Sequence, residues 1–310
     1  MSIEQLLGEV VLPLVTPFDR DGALDFSSLS ALVEYELSHK MCDSLFVAGT
    51  TGEFYTLSAE ERLQLLQGAK GIVGGKTRLV AGTGAATTRD AVALTEGAER
   101  LGYDAVAVVL PYYSRPTQEE IYWHFLAVAR STTLPVIIYN IPLFVGVNLA
   151  PETLARLAAL PNIAAIKDQA GANPVQTSDY LRVAPHVAIY CGDDTMILQV
   201  LAQGGTGVVS GGALVFGDLI KEMIHLFKSG AVREATAIHH RLMPFHRALT
   251  GPGRVNPVPC IREAVHLATG IAVGPPRPPL QPPTEEEITQ LRSVLARLGR
   301  LQLKEVRGVW

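Results

Sequence analysis

Eight short apolar runs punctuate the chain, at residues 10–16, 44–47, 78–82, 105–110, 136–140, 163–168, 188–192 and 207–210. They are rich in Val, Ile, Leu and Ala and lack polar alternation, the pattern of strands buried on both faces of a parallel sheet. Longer segments between them read as helices. Ser58-Ala59-Glu60-Glu61 is a capping box opening a helix with Leu63, Leu66, Ala69 and Val73 on one face. Thr117-Gln118-Glu119-Glu120 is a second box, leading Ile121, Phe125 and Val128. Pro151 opens another helix, where its missing N–H costs nothing. Further helices are predicted over 25–39, 88–101, 173–183, 194–203 and 218–228.

Eight strand–helix units predict an α/β protein, a (β/α)8 TIM barrel over residues 1–228. An open doubly wound sheet is the rival, and the even spacing favours closure. Beyond Lys228 the alternation stops. Residues 231–249 and 257–269 read as helices, the stiff connector Pro275-Pro276-Arg277-Pro278-Pro279 follows, and a last helix opens at Thr284 with Glu287 three residues on. Residues 229–310 are therefore expected to form a C-terminal helical appendage to the barrel.

Composition agrees with a large core: 48% of the 310 residues are hydrophobic and 18% charged. A net charge of -4 without a basic stripe argues against nucleic-acid and anionic-membrane partners. Cys42, Cys191 and Cys260 lie too far apart for a disulfide framework or a cysteine-rich zinc site, and no H-E-x-x-H pattern exists. The start of the chain lacks a basic, apolar leader. The most apolar stretch, residues 134–147, is interrupted by Pro135, Asn140 and Pro142 and falls short of a membrane span. A soluble, cytoplasmic, metal-independent protein is the expectation.

Catalytic groups of such barrels sit at the C-terminal ends of the strands. Lys167 ends the sixth run, where an ammonium is costly to desolvate but a neutral amine is a good nucleophile toward a ketone. The alternative is a rim lysine paired with Asp168 or another carboxylate. Tyr139 ends the fifth run and can relay protons for a lysine imine; the alternative is a rim tyrosine bonded to backbone. Gly49-Thr50-Thr51-Gly52-Glu53 follows the second run, and its N–H groups and hydroxyls suit a carboxylate; the alternative is a generic glycine turn. Gly74-Gly75-Lys76-Thr77 fails as a phosphate loop, because Lys70 stands where the first glycine belongs and the order of helix and strand is reversed.

Taken with Pro111-Tyr112-Tyr113, Tyr139-Asn140-Ile141-Pro142, Ile166-Lys167-Asp168, Gly192-Asp193-Asp194 and the stretch from Gly204 to Ser210, these motifs resemble the dihydrodipicolinate synthase / N-acetylneuraminate lyase family of pyruvate-dependent class I aldolases. The resemblance implies a lyase that holds a 2-oxo acid as a Schiff base on Lys167, with no cofactor beyond that covalent imine. It makes Tyr139 the proton relay, joined through Thr50 to Tyr113 of a neighbouring subunit in a homotetramer. Thr50 and Thr51 grip the pyruvate carboxylate, and Gly192 and Val209 line the pocket. The partners implied are a small 2-oxo acid and an aldehyde.

The substrate is read from departures. The arginine that binds the carboxylate of aspartate semialdehyde in dihydrodipicolinate synthases is matched here by Phe144, which makes no bidentate contact. Phe54, Ala59 and Ala86 stand at the polar positions of the lysine-feedback site, and Thr50-Thr51 replaces the Ser-Thr of N-acetylneuraminate lyases. These favour an aldolase of the 2-keto-3-deoxy-sugar-acid or 4-hydroxy-2-oxoglutarate kind. Dihydrodipicolinate synthase itself is the alternative, with Arg115 or Arg89 replacing the missing cation. A non-catalytic oxo-acid sensor is the remote one.

Overall fold

Strands form where the apolar runs were read, because such runs bury both faces and leave the backbone to pair only with its neighbours. The computed structural model describes residues 1–169, 173, 175–251 and 253–302. The strands are β1 (Val10–Pro13), β2 (Ser44–Val47), β3 (Arg78–Gly82), β4 (Ala105–Val109), β5 (Val136–Asn140), β6 (Ile163–Asp168), β7 (Ala188–Cys191) and β8 (Gly207–Val209). They pair in sequence order and close into a barrel, β8 returning to β1 through Val10↔Val208 and Val11↔Val209. The closed (β/α)8 architecture is thus the one predicted, and the open-sheet rival falls.

The helices are α1 (Ile3–Leu7), α2 (Phe26–Ser38), α3 (Ala59–Val73), α4 (Thr88–Arg100), α5 (Gln118–Arg130), α6 (Pro142–Val145), α7 (Pro151–Leu157), α8 (Gln176–Val183), α9 (Ile197–Ala202), α10 (Ala213–Lys228), α11 (Val232–Ala248), α12 (Val258–Thr269) and α13 (Glu285–Arg297). The capping boxes at Ser58, Thr117 and Thr284 all form. Several bounds differ from expectation. The first run leaves the ladder after Pro13, because the Thr16 carbonyl accepts from Arg262 and the Phe18 N–H donates to Val273 instead. The segment 194–203 splits into a 3-10 turn, Asp194–Met196, and α9. The helix read over 173–183 starts at Gln176; residues 170–172 and 174, like 303–310 of the expected appendage, lie outside the described residues. The buried face of α3 uses Leu65 and Leu66 rather than Leu63.

The chain divides into two compact units. The first comprises Met1–Val11, Asp43–Phe46 and Gly75–Ser210. Its core is the barrel interior, where Val11, Phe46, Val80, Ala105, Ala107, Ile137, Ala165, Ala188, Tyr190 and Val209 meet, with Ile3 and Leu7 of α1 added. The second comprises Leu12–Cys42, Val47–Gly74 and the chain from Gly211 onward. There α10 approaches the α2 end so closely that a Cβ on Gly217 would stand 2.0 Å from the Met41 carbonyl oxygen. Phe216 and Phe245 pack edge-on between α10 and α11, centroids 4.8 Å apart. Among the described residues no helix is long and apolar enough to cross a membrane.

Glu36 of α2 is buried in the second unit, with neither carboxylate oxygen hydrogen-bonded among the described residues. Burial raises its pKa well above the ordinary 4.5, favouring the neutral carboxyl in the folded protein. A folded pKa above the unfolded one confers stability that is complete below the unfolded pKa and is lost as pH rises toward the folded one. The melting temperature is therefore expected to fall as pH climbs from about 4.5, and Glu36→Gln, which stays neutral, to flatten that decline. Calorimetric melting across pH 5 to 9 checks this; an unchanged slope in Glu36→Gln refutes it.

Candidate active site

Period two along a strand sets which side chains enter the barrel. Ile137 and Ala165 belong to the interior cluster, so Tyr139 and Lys167, two residues further on, face inward as well. The β5–β6 register sets them directly opposite each other, Tyr139↔Lys167. Both are buried, Lys167 being 5% exposed, and the lysine Nζ lies over the Tyr139 ring at 3.9 Å from its centroid. Gly192 follows β7, two residues beyond Tyr190, the register partner of Lys167. A Cβ there would stand 3.0 Å from Lys167 Cε and 2.8 Å from Gln169 Cβ, so glycine leaves the passage for the lysine chain. Val209 of β8 lines the interior.

The next residues, Asn140 and Asp168, face the opposite side of the same strands and hold a buried polar network. Asn140 Nδ2 donates to Asp168 Oδ1 and Asn148 Oδ1, each at 2.8 Å, while Asn140 Oδ1 accepts from the Leu149 N–H at 3.1 Å. Gln176 Nε2 donates to both Asp168 oxygens, at 2.9 and 3.1 Å, and Asn148 Nδ2 closes the ring onto Gln176 Oε1 at 2.8 Å. The Asp168 carboxylate is thus occupied away from the barrel interior. These bonds engage the Asp168 carboxylate with Asn140 and Gln176. The network ties β5 to β6 just beyond the inward pair.

Thr50 and Thr51 sit in the second unit on a tight turn. The Glu53 N–H donates to the Thr50 carbonyl at 3.0 Å, and Thr16 Oγ1 donates to the Gly52 carbonyl at 2.6 Å. Gly52 fits closely there, since a Cβ would lie 3.0 Å from the Leu14 carbonyl oxygen. Glu53 is fully buried and paired with Arg262 at 2.9 Å. Burial is the larger influence on both groups, pushing the Glu53 carboxyl up and pulling the Arg262 guanidinium down to about 10, each offset in part by the other's charge.

Within the single chain Tyr113 is 96% exposed, on a backbone at φ +74°. Arg115, two residues on, also has positive φ, +51°. Non-glycine residues in this region carry strain of order 1 kcal/mol or more, and such strain clusters at functional loops. The Arg115 Nε and Nη2 both reach the Gly146 carbonyl at 3.4 Å. Gly146 caps α6, the short helix that carries half-exposed Phe144. Arg89 is instead engaged on the surface by Asp90 at 3.2 Å. Among the described residues no group of three or more His, Cys, Asp or Glu is placed to hold a metal ion. Sequence reasoning missed Asn148, Gln176 and Arg262, none of which carries a local signal.

Residues 6–298 match the model of the dihydrodipicolinate synthetase family. A 4-hydroxy-tetrahydrodipicolinate synthase from Desulforudis audaxviator is 46% identical over 289 residues, 93% of this chain and 96% of that protein. A crystal structure of dihydrodipicolinate synthase from Cyanidioschyzon merolae with lysine bound superposes with a TM-score of 0.90 at 38% identity, covering 96% of this chain and 99% of that one. YagE of E. coli K12, a family member crystallised with pyruvate, gives 0.87 at 29% identity, covering 94% and 98%.

Proposed function

Because the chain belongs to the dihydrodipicolinate synthetase family, and so is a class I lyase of the lysine Schiff-base kind, we propose that it condenses pyruvate with aspartate semialdehyde. The observation that carries the chemistry is the inward pairing of Lys167 with Tyr139. The choice of aldehyde follows the curated relatives, named 4-hydroxy-tetrahydrodipicolinate synthases at 40–46% identity over nearly the whole chain. It replaces the sugar-acid or 4-hydroxy-2-oxoglutarate aldolase that Phe144 suggested.

In this reading the Lys167 amine attacks C2 of pyruvate, and water leaves to give the imine. The methyl carbon loses a proton to give an enamine, which attacks the aldehyde carbon of the semialdehyde. The new alkoxide takes a proton. The product's own amine then attacks C2, closing the ring and releasing Lys167. Tyr139 moves the protons of these steps, and Thr50 and Thr51 hold the pyruvate carboxylate.

Arg115 supplies the cation that position 144 lacks. It sits on the loop after β4, with its guanidinium against the carbonyl two residues beyond Phe144. Two long hydrogen bonds occupy only part of its five-donor fork, leaving an edge for a carboxylate. Arg115→Ala is expected to raise KM for the semialdehyde about tenfold or more, with KM for pyruvate nearly unchanged. Lysine added to the same assay leaves the rate unaltered, since Phe54 is buried under Arg62 and Ala59 and Ala86 have no polar group to offer. Assays with aspartate semialdehyde beside 2-keto-3-deoxygluconate and 4-hydroxy-2-oxoglutarate decide the substrate. Turnover of either of the last two, with none of the semialdehyde, overturns the proposal.

A further inference from the structure

The turn that carries Thr50 and Thr51 ends in an unusual residue. Glu53 is fully buried, and its backbone lies in the left-handed region at φ +54°. Its carboxylate is divided between two donors: Oε1 accepts from Arg262 Nη1 and Oε2 from the backbone N–H of Arg277, each at 2.9 Å. Arg262, buried on α12, has every N–H engaged. Beyond Glu53 it reaches the Thr16 carbonyl at 2.7 Å, the Gly274 carbonyl from Nε at 3.1 Å and from Nη2 at 2.9 Å, and the Val273 carbonyl. The Arg277 side chain extends the clamp to the Gly22 carbonyl at 2.8 Å and to Glu61 Oε1 at 2.6 Å. Both guanidinium groups lie over the Phe18 ring, at 5.1 and 4.4 Å from its centroid.

Stability alone does not call for this arrangement. A buried ion pair recovers little more than its own desolvation, and apolar residues of similar volume commonly replace it without loss. What the pair does supply is direction: a fully saturated guanidinium has one orientation, and the carboxylate it holds has one as well. The turn is then tied twice, at Gly52 by Thr16 and at Glu53 by Arg262 and the Arg277 backbone. Thr16 is itself tied to Arg262, so the two anchors share one centre.

We propose that Glu53 and Arg262 are positioning residues, fixing the conformation of the Thr50-Thr51 turn that presents its hydroxyls and N–H groups to the pyruvate carboxylate. The proposal rests on the reading of that turn as the carboxylate grip. It assigns a role in substrate binding to helix α12, which lies outside the β/α repeat. The pair touches no substrate and acts only through the turn.

The test uses three variants of the full-length enzyme. Arg262→Lys keeps the charge and loses most of the hydrogen bonds; Glu53→Gln keeps the shape and loses the charge; the double change Glu53→Leu with Arg262→Met replaces the pair by apolar volume. Melting temperature reports the fold, and borohydride trapping of pyruvate on Lys167 reports half-saturation without a second substrate. In every variant that folds, the half-saturating pyruvate concentration is expected to rise about tenfold or more, while trapping at saturation still goes to completion. The double variant is expected to regain stability over Glu53→Gln without regaining pyruvate affinity. Recovery of both together, or an unchanged half-saturation in Arg262→Lys, overturns the proposal. Thr51→Ala serves as the separate check on the grip: if it leaves half-saturation unchanged, the reading of the turn fails whatever the pair does.

Discussion

Lys167→Ala is expected to lower turnover by roughly four orders of magnitude or more, because removing a covalent nucleophile leaves only binding and orientation behind. Lys167→Arg is expected to do the same: it keeps a cation at the strand end but forms no imine. Pyruvate and borohydride should add one reduced pyruvate to the wild-type peptide containing Lys167 and none to either variant. The position is demanding as well as the amine. The side chain is 5% exposed, lies over the Tyr139 ring, and passes a glycine whose Cβ would stand 3.0 Å from its Cε. Labelling at another lysine, or retention of more than about 1% of turnover by Lys167→Ala, sinks the assignment.

The parts of this picture that the sequence exposes are those governed by local period. Runs buried on both faces announced the eight strands, and period two carried from Ile137 and Ala165 puts Tyr139 and Lys167 on one side of adjacent strands. Capping boxes at Ser58, Thr117 and Thr284 marked helix starts because their bonds span three residues. The same box at Ser2 and Gln5 introduces only the five residues of α1, too few for an apolar period to show. What stayed hidden depends on distant partners. Arg262 meets Glu53 across 209 positions, and Asn140 meets Asp168 across 28, with no repeat linking either pair. The substrate reading turns on the same kind of distance: the Arg115 guanidinium, offered in place of the cation missing at Phe144, reaches the Gly146 carbonyl from another loop, 31 residues away.

Tyr139→Phe is expected to slow turnover roughly 10²- to 10³-fold, the usual effect of deleting a positioned proton carrier. Its signature differs from that of Lys167→Ala. The imine still forms, since the amine is intact, so borohydride trapping reaches the same extent at equilibrium, only more slowly. Exchange of the pyruvate methyl protons with deuterated solvent should fall by a factor similar to that on turnover, because both need proton transfer at the enamine. Full-rate exchange in Tyr139→Phe would place the relay elsewhere. Tyr113 offers a second arm to the same argument. Its side chain is 96% exposed in the single chain, so a role in the relay requires it to act on a neighbouring copy. Mixing inactive Lys167→Ala subunits with impaired Tyr113→Phe subunits should then restore activity. A Lys167 from one subunit would meet an intact Tyr113 from the other, and only that pairing rebuilds a complete site. Absence of any recovery in verified hybrid oligomers would confine the relay to one chain and leave Tyr113 without a part in it.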